Sequence, residues 1–115
     1  MKKPREQATV TAILQFLKLH RIPAWRMSVG ATKIGGRFVR FGAVGMSDII
    51  GVRSMLSINE IAMVQVRGVF LAIEVKSATG RVSPAQQAFL DTVNAAGGLG
   101  FVARSVADVA RTLGL

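Results

Sequence analysis

The chain has 115 residues, a formal net charge of +9 and no cysteine, and half of its residues are hydrophobic. The length predicts a single domain over residues 1–115. The composition excludes disulfides, thiol nucleophiles and Cys-ligated zinc, and the apolar content excludes a disordered basic tail. Charged residues interrupt every apolar stretch well before the roughly 20 residues of a membrane-spanning helix. The basic start is not followed by an apolar run, so we expect a cytoplasmic protein.

The positive charge is concentrated at the beginning of the chain. Nine of the 15 basic residues and one of the six acidic residues lie in residues 1–40, so this part carries +8 and the remainder +1. Such a basic front half predicts a polyanionic partner, in particular nucleic acid. The alternative is a solvated basic face that only aids solubility.

The first half of the chain predicts one helix followed by short strands. Apolar residues at i, i+3, i+4 and i+7 predict a helix over residues 5–20. Alternation over residues 24–29 predicts a strand, and glycines at both ends of residues 30–36 predict a loop that contains a lysine. Residues 37–41 and 47–52 are predicted as two further strands.

The second half is easier to assign, except at its start. Residues 53–67 fit neither period, which leaves open a hairpin or a strand with a loop. Residues 68–76 and 99–103 are predicted as strands, and serine caps predict helices over residues 83–96 and from residue 105 to just before Gly114. The order α-β-β-β-β-α-β-α predicts an α/β fold with a central mixed β-sheet flanked by helices.

An acid and a base lie two residues apart in one apolar strand. Alternation along a strand places Glu74 and Lys76 on one face and Ile73 and Val75 on the other. Charged groups on a buried strand cost desolvation energy unless each has a partner. An ordinary ion pair at the end of the sheet is the simplest explanation of this pattern.

A second acid in an apolar segment favours a functional explanation. Asp48 lies in the predicted strand 47–52, where it could also be a turn residue or a strand cap. Together, Asp48 and Glu74 could bind a hard divalent cation through oxygen. Lys76 would then orient or activate a water molecule, as metal-assisted phosphodiester hydrolysis requires.

Two polar side chains on the inward faces of helices fit the same site. Glu6 precedes Val10 and Ile13 by four and seven residues, and Gln86 shares a helical face with Phe89. The alternative for Glu6 is a favourable interaction with the helix dipole. For Gln86 the alternative is an amide that is satisfied near the start of its helix.

Four segments resemble the virus-type replication-repair nuclease (VRR-NUC) domain family of the PD-(D/E)xK nuclease superfamily. They are a glycine-rich run that contains the aspartate (residues 41–51), a strand with the ExK sequence (68–76), a G-R-x-S turn followed by a Q-x-x-F helix (80–89), and a Gly-Gly pair (97–98). The resemblance covers nearly the whole chain. It departs from the family where Ser47 stands instead of a proline and in the length of segment 53–67.

The resemblance implies a restriction-endonuclease-like core that cuts DNA with Mg²⁺ or Mn²⁺. By this resemblance Asp48, Glu74 and the Val75 carbonyl bind the metal, and Lys76 and Gln86 complete the catalytic set. The resemblance also assigns Glu6, the acid of the N-terminal helix, to this set. Basic residues are expected to line the DNA-facing side: Lys2, Lys3, Arg5, Lys33, Arg37, Arg40 and Arg81.

Small stand-alone members of the family resemble phage or prophage proteins that resolve four-way (Holliday) junctions. We therefore expect a structure-selective endonuclease for branched DNA. A non-catalytic nucleic-acid-binding protein that retains the fold is the main alternative, and an oligomeric structural protein with an incidental ExK is a third. The apolar segment from Met55 to Val66 predicts a homodimer interface, unless it is an internal hairpin that covers its own core.

Overall fold

The computed structural model of the chain describes residues 3–27 and 30–115, and for residues 30–34 and 38–41 it describes the backbone alone. Its elements follow the predicted order with one additional strand: α1 (Pro4–Leu19), β1 (Ala24–Arg26), β2 (Gly30–Ile34), β3 (Arg37–Phe41), β4 (Ile49–Ile58), β5 (Val64–Val75), α2 (Pro84–Ala95), β6 (Leu99–Ala103) and α3 (Val106–Leu113).

A mixed four-stranded sheet flanked by three helices forms the centre of the fold. The strand order is β1-β4-β5-β6, with β4 antiparallel to β1 and β5, and β6 parallel to β5. This arrangement confirms the predicted α/β restriction-endonuclease-like core. Within the described residues, none of the helices is long and apolar enough to cross a membrane.

The prediction of a loop over residues 30–36 is wrong. Residues 30–34 form β2, which pairs with β3 in a separate two-stranded hairpin. Its turn is Gly35-Gly36, with φ of 59° and 81°. A two-residue hairpin turn needs positive φ at both positions, which glycine supplies at little steric cost. The glycines that suggested a loop are therefore the turn that joins two strands.

Helices cover both faces of the central sheet. On one face, Val10 and Ile13 of α1 pack with Ile49 and Ile73 of the sheet in the larger core cluster, which α3 completes through Val109. On the other face, α2 packs on Ala72 through buried apolar residues. Strand alternation therefore gives β5 one face towards α1 and α3 and one face towards α2.

Segment 53–67 is the outer part of a long β4–β5 hairpin. β4 and β5 stay paired from Ile49↔Ile73 out to Ile58↔Val64. β1 and β6 pair only with the inner ends of these strands, at residues 49–51 and 71–75. The outer part, residues 52–70, therefore extends beyond the four-stranded sheet, and we call it the arm. The described molecule is elongated accordingly, with dimensions of 58 × 28 × 25 Å.

The tip of the arm is a defined turn. The side-chain carbonyl of Asn59 accepts hydrogen bonds from the backbone N–H groups of Ile61 and Met63 at 3.1 and 2.9 Å. Ala62 has φ of 59°, a left-handed conformation that is uncommon outside glycine. These bonds set the register of the hairpin from its outer end.

The two faces of the arm differ in character. Directly paired residues share a face, so the register places one set of apolar side chains together: Val52, Leu56, Ile58, Val64, Val66 and Phe70. This apolar face is continuous with the α2 side of the sheet. The opposite face carries Arg53, Met55, Ser57, Gln65, Arg67 and Val69. Three residues of the apolar face are more than 70% exposed, so the arm does not bury this surface within its own chain.

Candidate active site

A hydrogen bond across the sheet holds Asp48 next to the ExK sequence. Asp48 immediately precedes β4, and its Oδ2 accepts from the backbone N–H of Val75 at 2.8 Å. Val75 is the middle residue of Glu74-Val75-Lys76, so this bond brings the Asp48 carboxylate beside both neighbours. Glu74 is 1% exposed, which gives the site one carboxylate that is shielded from solvent.

The end of β5 orients the side chains of the ExK. Glu74 follows Ala72 on the α2 side of the sheet, whereas Val75 belongs to the core on the α1 side. The backbone N–H of Lys76 donates to Ala103 O of β6 at 3.1 Å, which extends the parallel pairing by one residue. Lys76 itself is half-buried. Its side chain can therefore reach the solvent edge of the site from a fixed backbone.

Gly45 brings the segment before Asp48 against the start of α2. A Cβ on Gly45 would lie 2.3 Å from the carbonyl oxygen of Ala85 and 2.9 Å from the N atom of Gln86, and its φ is +81°. Glycine is required on both counts, because a side chain would meet backbone and the conformation is left-handed. This close approach fixes the distance between Asp48 and the first turn of α2.

The side chain of Gln86 caps its own helix. Its Oε1 accepts from the Ser83 N–H at 2.9 Å, and the Ser83 Oγ accepts from the Gln86 N–H at 3.1 Å. This reciprocal pair is a capping box, which is the alternative that the sequence left open for Gln86. The amide carbonyl is engaged in the cap, so a catalytic role for Gln86, which remains a prediction, would use its NH₂ group.

Glu6 lies behind the loop that follows Lys76. The carboxylate is 8% exposed, as its predicted inward position requires. Its Oε1 accepts from the backbone N–H of Ser77 at 3.4 Å, and a Cβ on Gly80 would lie 3.5 Å from the same oxygen. Glu6 thus connects the first turn of α1 to the residue next to Lys76.

Arg104 also binds this loop, and sequence reasoning made no prediction for it. One guanidinium nitrogen, Nη1, donates to the carbonyl oxygen of Gly80 at 2.8 Å and to that of Ser77. Arg104 directly follows β6, so it ties the loop after the ExK to the neighbouring strand. Nothing local to Arg104 signals this role, because its partners lie 24 and 27 residues away.

The donors that this site offers suit a hard divalent cation. Asp48 and Glu74 supply carboxylate oxygens, which Mg²⁺ and Mn²⁺ prefer. Among the residues that the structure describes, no group of three or more His, Asp or Glu side chains could hold a metal. The set of Asp48, Glu74 and the Val75 carbonyl, with water, therefore stays a prediction from the sequence.

Ser47, which precedes Asp48 at the position of the superfamily proline, is fully buried. Within the described part of the chain its Oγ has no hydrogen-bond partner. A buried hydroxyl without a partner costs free energy. The serine thus contributes through its backbone and small size rather than through a side-chain bond.

The structure describes the side chains of some, but not all, of the basic residues predicted to contact DNA. Lys3, Arg5, Arg37 and Arg81 are exposed, as contact with phosphate requires. Lys2 lies outside the described residues, and so do the side chains of Lys33 and Arg40. A groove between α1 and β1 is lined by three further basic residues that the sequence did not assign to a site, Lys18, Arg21 and Arg26.

Comparison with known proteins identifies the family. The family model of the VRR-NUC domain matches residues 4–107, which includes every element from α1 to the start of α3. No curated protein and no solved structure matches the chain.

Proposed function

Because the chain belongs to the VRR-NUC domain family, a nuclease family, we propose that it is a metal-dependent endonuclease that hydrolyses phosphodiester bonds in DNA. The observation that carries this proposal is the hydrogen bond from the Val75 N–H to the Asp48 carboxylate at 2.8 Å. It links Asp48 to the strand end that carries Glu74 and Lys76, which lie 26 and 28 residues further along the sequence.

Asp48, Glu74 and the Val75 carbonyl would hold the cation, Mg²⁺ or Mn²⁺, with water completing its shell. When bound, such a cation polarises the phosphoryl oxygen and lowers the pKa of a bound water. Two neighbouring carboxylates repel each other unless a cation lies near them. Burial of Glu74 strengthens this effect, because charges interact more strongly in a low dielectric.

The lysine of the site acts on the reacting groups. The Lys76 ammonium would orient the attacking water and stabilise the negative charge that develops on the phosphate. Glu6 and Arg104 both bind the Ser77–Gly80 loop, and so they position the backbone that carries Lys76. Gln86 would contribute through its NH₂ group, from a helix that Gly45 holds close to Asp48.

The proposed substrate is branched DNA, with the four-way junction as its main form and a phage or prophage setting. Family resemblance supports this proposal, and so does a feature of the structure. A twofold dimer can cut two strands at symmetric positions, and the arm offers a surface for such a dimer. The proposed partner on the apolar face of the arm is a second copy of this chain.

The size and isolation of the apolar face support the homodimer. Its six apolar side chains are between 38% and 74% exposed, whereas large contiguous apolar patches are rare on monomers. Side chains of this size expose several hundred Å² together, which approaches the ~800 Å² that each partner contributes to a standard interface. A two-stranded hairpin is also marginally stable by itself, so packing against a partner would stabilise the arm.

The decisive experiment compares the wild-type chain with Glu74→Gln. We expect wild type to nick DNA only with Mg²⁺ or Mn²⁺, and to cut a four-way junction in preference to a linear duplex of the same sequence. Glu74→Gln keeps the size of the side chain and removes its charge, so it should lose cleavage and retain DNA binding. Binding without cleavage in wild type would instead establish the non-catalytic alternative. Equal cutting of both DNAs would remove the branched substrate from the proposal.

A further inference from the structure

A groove of about 630 Å³ lies between α1 and β1, and β1 pairs with the strand that begins directly after Asp48. Three basic residues line it, namely Lys18, Arg21 and Arg26, and all three are exposed. Within the described residues, none of these three side chains forms a salt bridge with an acid. The groove therefore presents positive charge to whatever enters it.

One of these bases is held in place by the helix. The Nη2 of Arg26 donates to the Thr11 Oγ1 of α1 at 2.7 Å. A guanidinium fixed in this way loses less rotamer freedom when it binds a ligand. Its other N–H groups are then available to a phosphate, which planar guanidinium groups bind well.

Arg21 occupies a position where the fold favours glycine. The N–H groups of Ile22 and Arg21 donate to the carbonyls of Leu17 and Lys18 at 2.9 and 3.0 Å, which is the Schellman pattern at the end of a helix. Arg21 is its left-handed residue, with φ of 58°, and glycine is the usual choice there. A residue that is strained where glycine would be relaxed suggests that its side chain has a function.

The groove also exposes the tryptophan of the chain. Trp25 lines the groove and is 56% exposed. It is the one tryptophan in the sequence. Strand alternation turns Trp25 to the face of β1 opposite the Arg26 side chain, so the indole stands at the rim of the groove, next to the cations. An exposed indole beside cations is a combination that single-stranded nucleic acids recognise, because bases stack on the ring while phosphates bind the basic groups.

We propose that this groove binds an unpaired stretch of DNA, with Trp25 stacking on a base and Lys18, Arg21 and Arg26 contacting phosphates. The inference rests on the proposed nuclease function, since it adds a second contact for the same substrate. Lys18 lies 12 residues after Glu6 on α1, which is about 18 Å along a helix. At the other end of the groove Arg26 pairs with Ile49, next to Asp48, so the groove would guide an unpaired strand from Lys18 towards the site.

Trp25 itself reports the binding. In EDTA, where a metal-dependent nuclease cannot cut, titration with oligo(dT) should quench the fluorescence of Trp25, and a duplex of the same length should quench it much less. Trp25→Ala should lower affinity for a labelled oligo(dT) about fivefold or more, since stacking on an aromatic ring contributes this much. Trp25→Phe should recover most of the affinity.

Arg21→Gly separates function from folding. The variant should raise Tm by about 4 °C, because it removes the strain of the left-handed residue. It should also weaken oligo(dT) binding and lower the salt slope by about 0.7, as loss of one phosphate contact predicts. Arg111→Gln removes the same charge from α3, at a side chain that pairs with Asp108, and should leave the affinity unchanged.

Two results would overturn the inference: unchanged Trp25 fluorescence at saturating oligo(dT), or equal quenching by the duplex. Unchanged affinity in Arg21→Gly would remove Arg21 from the site. These outcomes are distinct from failure of the proposed nuclease. That failure would appear as absent cleavage with quenching intact, whereas failure here would leave metal-dependent cleavage of a linear duplex in place.

Discussion

Lys76 is the residue at which binding and catalysis can be separated. In the proposed mechanism its ammonium acts on charge that develops during the reaction, so we expect Lys76→Ala to lower turnover about 100-fold. Affinity for uncut DNA should change little, since the basic surface of a chain with a net charge of +9 supplies most of the phosphate contacts. Single-turnover rates, with affinities measured in EDTA, test this prediction. An equal loss in both quantities would make Lys76 a phosphate anchor.

Substitution of Gly45 tests whether its contact with α2 fixes the position of Asp48. Gly45→Ala would place a Cβ 2.3 Å from the backbone of Ala85, so we expect it to lower the free energy of unfolding by about 3 kcal/mol. Gly97→Ala is the matched control. Gly97 also has positive φ, at +93°, but its Cβ would meet no atom within 4 Å.

Gly97→Ala should lower the free energy of unfolding by about 1 kcal/mol, which is the conformational cost of a side chain at positive φ without a steric clash. Urea unfolding of the two variants therefore measures the steric contribution as a difference. Equal losses of stability would mean that the Gly45 segment moves away from α2 without cost, and that Asp48 is not fixed by this contact.

At the scale of elements, the start of α3 depends on one carboxylate. The Oδ2 of Asp108 accepts from the backbone N–H of Arg104 at 2.8 Å, one residue before the Ser105 cap. This hydrogen bond, with Arg111 beside it, holds the pKa of the Asp108 carboxyl below its ordinary value of 3.8. The stabilisation is therefore present above that ordinary value and is lost as pH falls through the lowered pKa.

We expect Asp108→Ala to lower the free energy of unfolding by about 1 kcal/mol near neutral pH. The difference from wild type should shrink by about pH 2, because the wild-type carboxyl is then protonated. Urea unfolding at both pH values measures this change. Asp91→Ala is the control, since Asp91 accepts from the side chain of Gln87 rather than from backbone. A difference that stays constant with pH would contradict the capping role of the charge.

At the scale of the whole molecule, the proposed dimer depends on one face of the arm. Leu56→Glu puts a charge on the apolar face, where Leu56 is 74% exposed, so we expect the dimer to dissociate at micromolar concentration. Met55→Glu is the matched control, because Met55 is the adjacent residue and points to the opposite face beside Arg67. Sedimentation of wild type and both variants measures the change. A monomeric wild type with full junction cleavage would contradict both the interface and the paired cut.

The sequence alone determined those parts of the fold that depend on neighbours along the chain. Helical periodicity located α1 and the Ser-Pro pair located the start of α2, while the predicted strands 68–76 and 99–103 correspond to the inner part of β5 and to β6. These patterns are local, because a helix repeats every 3.6 residues and a strand every two. For the same reason the sequence alone places Glu74 and Lys76 on one face of their strand.

The tertiary structure alone decided which of several compatible roles each polar group has. Gln86 is the exception, because the S-x-x-Q pattern of a capping box is local and engages its carbonyl in the cap with Ser83. The apolar face of the arm lies at even-numbered positions of both strands, a period of two that the turn at residues 59–63 interrupts and that only the pairing of β4 with β5 makes plain. The contacts of Asp48 with Val75 and of Arg104 with Ser77 each span 27 residues. Folding of the sheet creates these contacts, and no local pattern encodes them.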